Sequence, residues 1–97
     1  MLIIVSYDVA ITTENGKKRL RQIAKICQKY GQRVQNSVFE CQVDSAQMAV
    51  MRSELLQKID SEHDSLRFYS LGSRYDTRIE HYGTKGFLDL KKDTLLI

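Results

Sequence analysis

The sequence predicts an α+β protein, a two-layer sandwich with two helices packed on one face of an antiparallel sheet. Three observations carry this. Apolar residues recur at three- and four-residue spacing in two separate stretches, near residues 20–30 and 48–59, as amphipathic helices require. Around them lie short runs rich in β-branched and aromatic residues, bounded by turn formers. The chain has 97 residues, 42% of them hydrophobic and 28% charged, an ordinary globular balance with room for one domain, 1–97.

Leu2 to Tyr7, bounded by Asp8, reads as a buried strand. The opening Met1-Leu2-Ile3-Ile4-Val5 has no basic region before it, and Asp8 interrupts it, so it is not read as a secretory signal. No apolar run approaches the roughly 20 residues of a membrane helix, and a cytoplasmic protein without a membrane partner is expected. Ala10 to Asn15, with two Thr and an Asn, is turn and helix-capping material. From Gly16 the period becomes helical: Leu20, Ile23, Ala24, Cys27 and Tyr30 form one stripe, stopped by Gly31. At 100° per residue Lys17, Lys18, Arg21, Lys25 and Lys29 fall opposite it, with Arg19 at the border.

Strand character returns over Arg33 to Val43, where Gln35-Asn36-Ser37 is compatible with a kink, a bulge or a tight turn. Asp44-Ser45-Ala46-Gln47 is a capping-box pattern opening a helix that turns Met48, Met51, Leu55 and Ile59 inward and ends near Asp60. Leu66 to Leu71 reads as a further strand and Ile79 to Tyr82 as a shorter one. If the 33–43 stretch is two strands, the order becomes that of a ferredoxin-like sandwich. The apolar Leu95-Leu96-Ile97 asks for a partner, and segment 84–97 is expected to pack on a second subunit. Cys27 and Cys41 lack metal-site spacing and read as reduced core residues.

Charge is where chemistry first appears. Fifteen Lys and Arg against twelve Asp and Glu give a net charge of only +3, yet no acidic residue lies between Glu14 and Glu40. Lys17, Lys18, Arg19, Arg21, Lys25, Lys29 and Arg33 all fall in that window. Solvated helix faces usually interleave Glu with Lys for mutual support, so an unrelieved basic face points to a phosphate-bearing partner. Asp8 ends the first strand, where side chains reach a surface. It suits a divalent-cation ligand, although loop capping is also ordinary chemistry for such an Asp. One carboxylate per chain is thin for a metal; a two-fold dimer with this strand end near its axis presents two. Arg33 either pairs with an acid or tracks a phosphate. Tyr7, Phe39, Phe68 and Tyr69 read as core packing rather than a base-stacking platform, because the Lys/Arg-Gly-Phe/Tyr signature is absent. His63 and His81 read as structural or solvent-facing, and no P-loop, Rossmann or zincin motif is present.

Val5-Ser6-Tyr7-Asp8-Val9, Lys18-Arg19-Leu20-Arg21, the block Tyr30-Gly31-Gln32-Arg33-Val34-Gln35-Asn36-Ser37-Val38-Phe39-Glu40 and Ser65-Leu66-Arg67-Phe68-Tyr69-Ser70-Leu71-Gly72 together resemble the second CRISPR-associated (Cas) protein family. The resemblance covers most of the chain. It implies a ferredoxin-like fold and a symmetric homodimer in which Asp8 of both subunits binds Mg²⁺, or Mn²⁺, for phosphodiester hydrolysis. It also implies activity-bearing roles for Tyr7, Arg33 and Phe39, and phosphate contacts from the Arg-x-Arg supplied by Arg19 and Arg21. The implied substrates are double-stranded DNA or single-stranded RNA. The implied partner is the CRISPR integrase subunit, in the complex that inserts new spacers. Two readings compete with the nuclease: a non-catalytic DNA-binding scaffold for the integrase, and a ferredoxin-like regulatory domain that binds a metabolite. The acid-free basic segment argues against the last.

Overall fold

In the computed structural model the described residues are 1–73 and 78–82, with the backbone of 88–89 and 94–95. The elements run β1 (Leu2–Asp8), α1 (Gly16–Tyr30), β2 (Gly31–Gln35), β3 (Val38–Gln42), α2 (Ser45–Lys58) and β4 (Ser65–Gly72), followed by β5 (Leu88–Asp89) and β6 (Thr94–Leu95). The main sheet has the order β2-β3-β1-β4 with every neighbour antiparallel, which is the expected ferredoxin-like α+β sandwich. Among the described residues, β5 and β6 pair with each other and with no other strand. The rest of segment 84–97, and with it the expected packing on a partner, lies outside the described residues.

Period-two alternation divides β1 between two environments. Ile3, Val5, Tyr7 and Val9 face the helices and join Phe39, Cys41 and Val43 in one core with Ile23, Ile26 and Cys27 of α1 and Met48, Met51 and Leu55 of α2. Leu20, Ala24, Tyr30 and Ile59 pack against that core and remain partly exposed; Ile26 is a buried stripe member that the spacing argument omitted. The other sheet face carries Ile4, Ser6 and Asp8 beside Glu40, Val38, Tyr69, Arg67 and Ser65, following the ladder registers. α2 opens with both halves of its capping box: Gln47 N donates to Asp44 Oδ1 at 2.7 Å, and Asp44 N donates to Gln47 Oε1 at 2.9 Å.

The 33–43 stretch is two strands. A two-residue turn at Asn36-Ser37 joins β2 to β3, and the register shifts between Arg33 and Gln35, so turn and bulge both occur. Neither turn residue has positive φ, and the bulge takes up twist that a primed turn would otherwise supply. Two expectations are corrected. Ile79–Tyr82 is not a strand, since none of these residues joins a ladder, and apolar alternation makes a strand only where a partner strand is available. Asn15 precedes α1 in the left-handed conformation (φ 61°), but its side chain does not cap the helix. Cys27 and Cys41 are reduced and buried, as expected.

Candidate active site

Asp8 is exposed on the open face at the last position of β1. Its flanks are fixed. On one side Tyr7 N donates to Ser37 O of the hairpin turn at 3.1 Å; on the other, Asp8 stands opposite Ser65, the first residue of β4. No described residue forms an ion pair with the Asp8 carboxylate. A backbone held on both sides and a carboxylate directed at solvent suit the capture of a cation. No group of three or more His, Cys, Asp or Glu gathers among the described residues.

Tyr7, Phe39 and Arg33 do not join Asp8. They cluster on the helix-facing side, because adjacent residues of a strand point to opposite faces. The Tyr7 and Phe39 rings lie 6.3 Å apart at 22°, both buried, and the exposed Arg33 guanidinium sits 5.2 Å from the Phe39 centroid. Burial pushes the Tyr7 phenol up from its usual pKa, Cys27 adds to this and Arg33 opposes it. Burial also drives the Cys27 thiol up to about 12 and the Cys41 thiol up to about 11, so neither is a ready nucleophile. Tyr69 corrects the core-packing expectation: it is 46% exposed on the open face, with Arg67 Nη1 donating to its hydroxyl at 3.3 Å. Phe68 does pack against the core, under the Arg52 guanidinium at 5.9 Å.

The basic face of α1 divides in the same way. Lys17, Lys18, Arg21 and Lys25 are exposed, and Lys18, Arg21 and Lys25 line one shallow groove with Gln22 and Gln28. Lys29 is committed to Glu54 of α2, which also accepts from Tyr30 Oη at 2.5 Å. Arg19, expected to contact phosphate, is committed within the chain too. Its Nε and Nη2 donate to Asp64 at 2.9 and 3.2 Å, Nη1 to Glu14 O at 2.8 Å and Nη2 to Thr13 Oγ1 at 2.8 Å. Its side chain is only 12% exposed, and that of Asp64 is fully buried.

The sequence model described as "CRISPR associated protein Cas2" matches residues 1–79. That match spans most of the chain. The chain belongs to the Cas2 family. It is 55% identical over 91 residues to the "CRISPR-associated endonuclease Cas2" of Halalkalibacterium halodurans, covering 94% of this chain and 95% of that one. It is 55% identical over 96 residues to the "CRISPR-associated endoribonuclease Cas2" of Chlorobaculum tepidum, covering 99% and 100%. The crystal structure of Streptococcus pyogenes Cas2 at pH 6.5 matches with a TM-score of 0.76 at 51% identity, over 86% of this chain and all of that one.

On this Cas2 fold two residues near the site escaped the sequence reading. Lys58, in the last turn of α2, lines a groove together with Asn15, Lys18, Arg19 and Asp60, so a basic side chain outside α1 adjoins Lys18 there, with Asp60 beside it. No local periodicity marks it. Asp64 is the other. It sits in a short acidic turn, and its partner Arg19 is 45 positions away, beyond the reach of any spacing argument.

Proposed function

We propose that this protein is a Mg²⁺-dependent endonuclease centred on Asp8 and also a subunit of the spacer-acquisition complex, where it holds DNA for the CRISPR integrase. The coarser statement, a CRISPR-associated nuclease, follows from family membership and from relatives named endonuclease or endoribonuclease. The observation that carries the finer one is the exposed, backbone-clamped Asp8 at the end of β1 on the open sheet face. Two such carboxylates, one from each protomer of a homodimer joined through that face, together with water, make a ligand set of the kind Mg²⁺ or Mn²⁺ accepts. When bound, the ion supplies an acidified water and neutralises charge on the phosphodiester. Lys17, Lys18, Arg21, Lys25 and Lys58 hold phosphates without reading sequence. Arg33, the exposed cation beside the hairpin, extends that surface, while Tyr7 and Phe39 act beneath it as packing that fixes the strand end.

The exposed basic face favours a second reading, in which the chain only binds duplex DNA and the integrase performs all chemistry. The two are separated by cleavage of labelled duplex DNA and single-stranded RNA, each with Mg²⁺ and with EDTA, by wild type and Asp8→Asn. Metal-dependent cutting that is lost in the variant supports the nuclease and names its substrate. Equal cutting by both proteins, or none by either, leaves the scaffold.

A further inference from the structure

Asp64 gathers four donors. Oδ1 accepts from Ala10 N at 3.0 Å and from Arg19 Nη2 at 3.2 Å; Oδ2 accepts from Arg19 Nε at 2.9 Å and from Asp60 N at 2.8 Å. These donors come from three places: the loop after β1, the start of α1 and the turn before β4. A buried carboxylate with this many partners is a fixed point, because removing any one of them strands a charge or an amide out of water.

What is fixed is the surroundings of Asp8. Ala10 lies two residues beyond Asp8, and Asp64 directly precedes Ser65, which stands opposite Asp8 in the ladder. The loop is tied again at Thr13, whose Oγ1 donates to Ala10 O at 2.6 Å while accepting from Arg19 Nη2. Gly16 lets α1 close onto it, since a Cβ there would stand 2.3 Å from Ala10 O. Arg19 thus spends its guanidinium on the loop, whereas Arg21, two residues further along the helix, is exposed.

We infer that Arg19 and Asp64 are a positioning pair for the nuclease centre: they hold the Asp8 loop in register with β4, and Arg19 takes no part in gripping nucleic acid. The inference rests on the reading of Asp8 as the centre of cleavage. Displacing a reacting group by about 1 Å can cost a hundredfold in rate, so loosening this tie is expected to lower kcat rather than affinity.

The experiment compares wild type, Arg19→Lys, Asp64→Asn, Thr13→Val and Thr13→Ser in Mg²⁺-dependent cleavage, at a temperature where circular dichroism shows each protein folded. Arg19→Lys and Asp64→Asn are expected to lose at least about tenfold in kcat, with KM and the salt dependence of binding unchanged. Thr13→Val, which removes one loop hydroxyl and keeps the side chain's shape, should lose kcat by a smaller factor. Thr13→Ser, which restores the hydroxyl, should recover it. A change in KM and salt slope at Arg19 would make it a phosphate ligand and overturn the inference, as would wild-type kcat in the folded variants. If the Arg19 and Asp64 variants do not fold, the Thr13 pair decides by the same criterion. Asp8→Asn runs alongside: cleavage that survives it removes the site reading and the positioning pair with it, whereas loss there with full activity in the other variants removes the pair alone.

Discussion

A Cβ on Gly31 would stand 1.9 Å from Glu40 O and 2.6 Å from Cys41 Cα. Both are backbone atoms of β3, held in the ladder, and neither can rotate away. Gly31→Ala therefore forces the α1–β2 junction off the sheet, and a loss of about 3 kcal/mol or more is expected, lowering the thermal midpoint by more than about 10 °C. A midpoint within a few degrees of wild type would mean that the junction can shift freely. Asp64 makes the stability of the same fold depend on pH in the acid range. Burial works against its charged form, but the Arg19 guanidinium and the Asp60 and Ala10 amides outweigh it and hold the pKa at about 2, against 3.8 in the open chain. Because the folded value is the depressed one, the stabilisation is complete above about pH 4 and is lost as pH falls through 2. It is worth roughly 2 kcal/mol. Thermal melts between pH 4 and pH 2 should fall more steeply for wild type than for Asp64→Asn, and parallel falls would show that the pair carries no such linkage.

At the scale of the element, α1 is a helix whose first-turn charges oppose its own dipole, whereas Lys29 in its last turn suits it. It has no acid in its first turn, where Lys17 and Lys18 stand at the positive end. Reversing Lys18 and Lys25 to Glu relieves repulsion and places one acid where the dipole favours it, so the thermal midpoint should hold or rise. Duplex affinity should fall, and the slope of log K against log salt should shrink by roughly two, one for each phosphate that is no longer neutralised. Unchanged affinity would remove the basic face from the proposed function. What could be read of the elements beforehand follows from range. The stripes of α1 and α2 and the Asp44–Gln47 box depend on residues within one or two turns, and they appear as expected. The separation of Tyr7 from Asp8 was also legible, since strand neighbours always diverge; the family resemblance groups by activity residues that the pleat keeps apart. Ile79–Tyr82 has strand composition without a ladder, and Arg19 looked like a free arginine because Asp64 is remote in sequence. Both depend on contacts that only the assembled fold creates.

At the scale of the whole molecule, the helices cover one face of the sheet while Ile4, Val38 and Tyr69 remain at least partly exposed on the other, on the same side as Asp8. In the homodimer proposed above, a second copy laid on that face would cover the apolar residues and supply the second carboxylate. Tyr69→Lys, which sets a charge in the proposed contact, should yield a monomer by analytical ultracentrifugation and lose cleavage with it, while the basic faces keep their grip on phosphate. A sharper measurement separates a shared metal from two independent ones. Wild type and Asp8→Asn, mixed under conditions that allow the subunits to exchange, form pairs at random. If the metal needs Asp8 from both protomers, only the all-wild-type pairs cut, and an equal mixture retains about a quarter of the activity; if each chain acts alone, it retains about half. Activity following the square of the wild-type fraction would place the nuclease centre on the two-fold axis, and activity following the fraction itself would return it to the single chain.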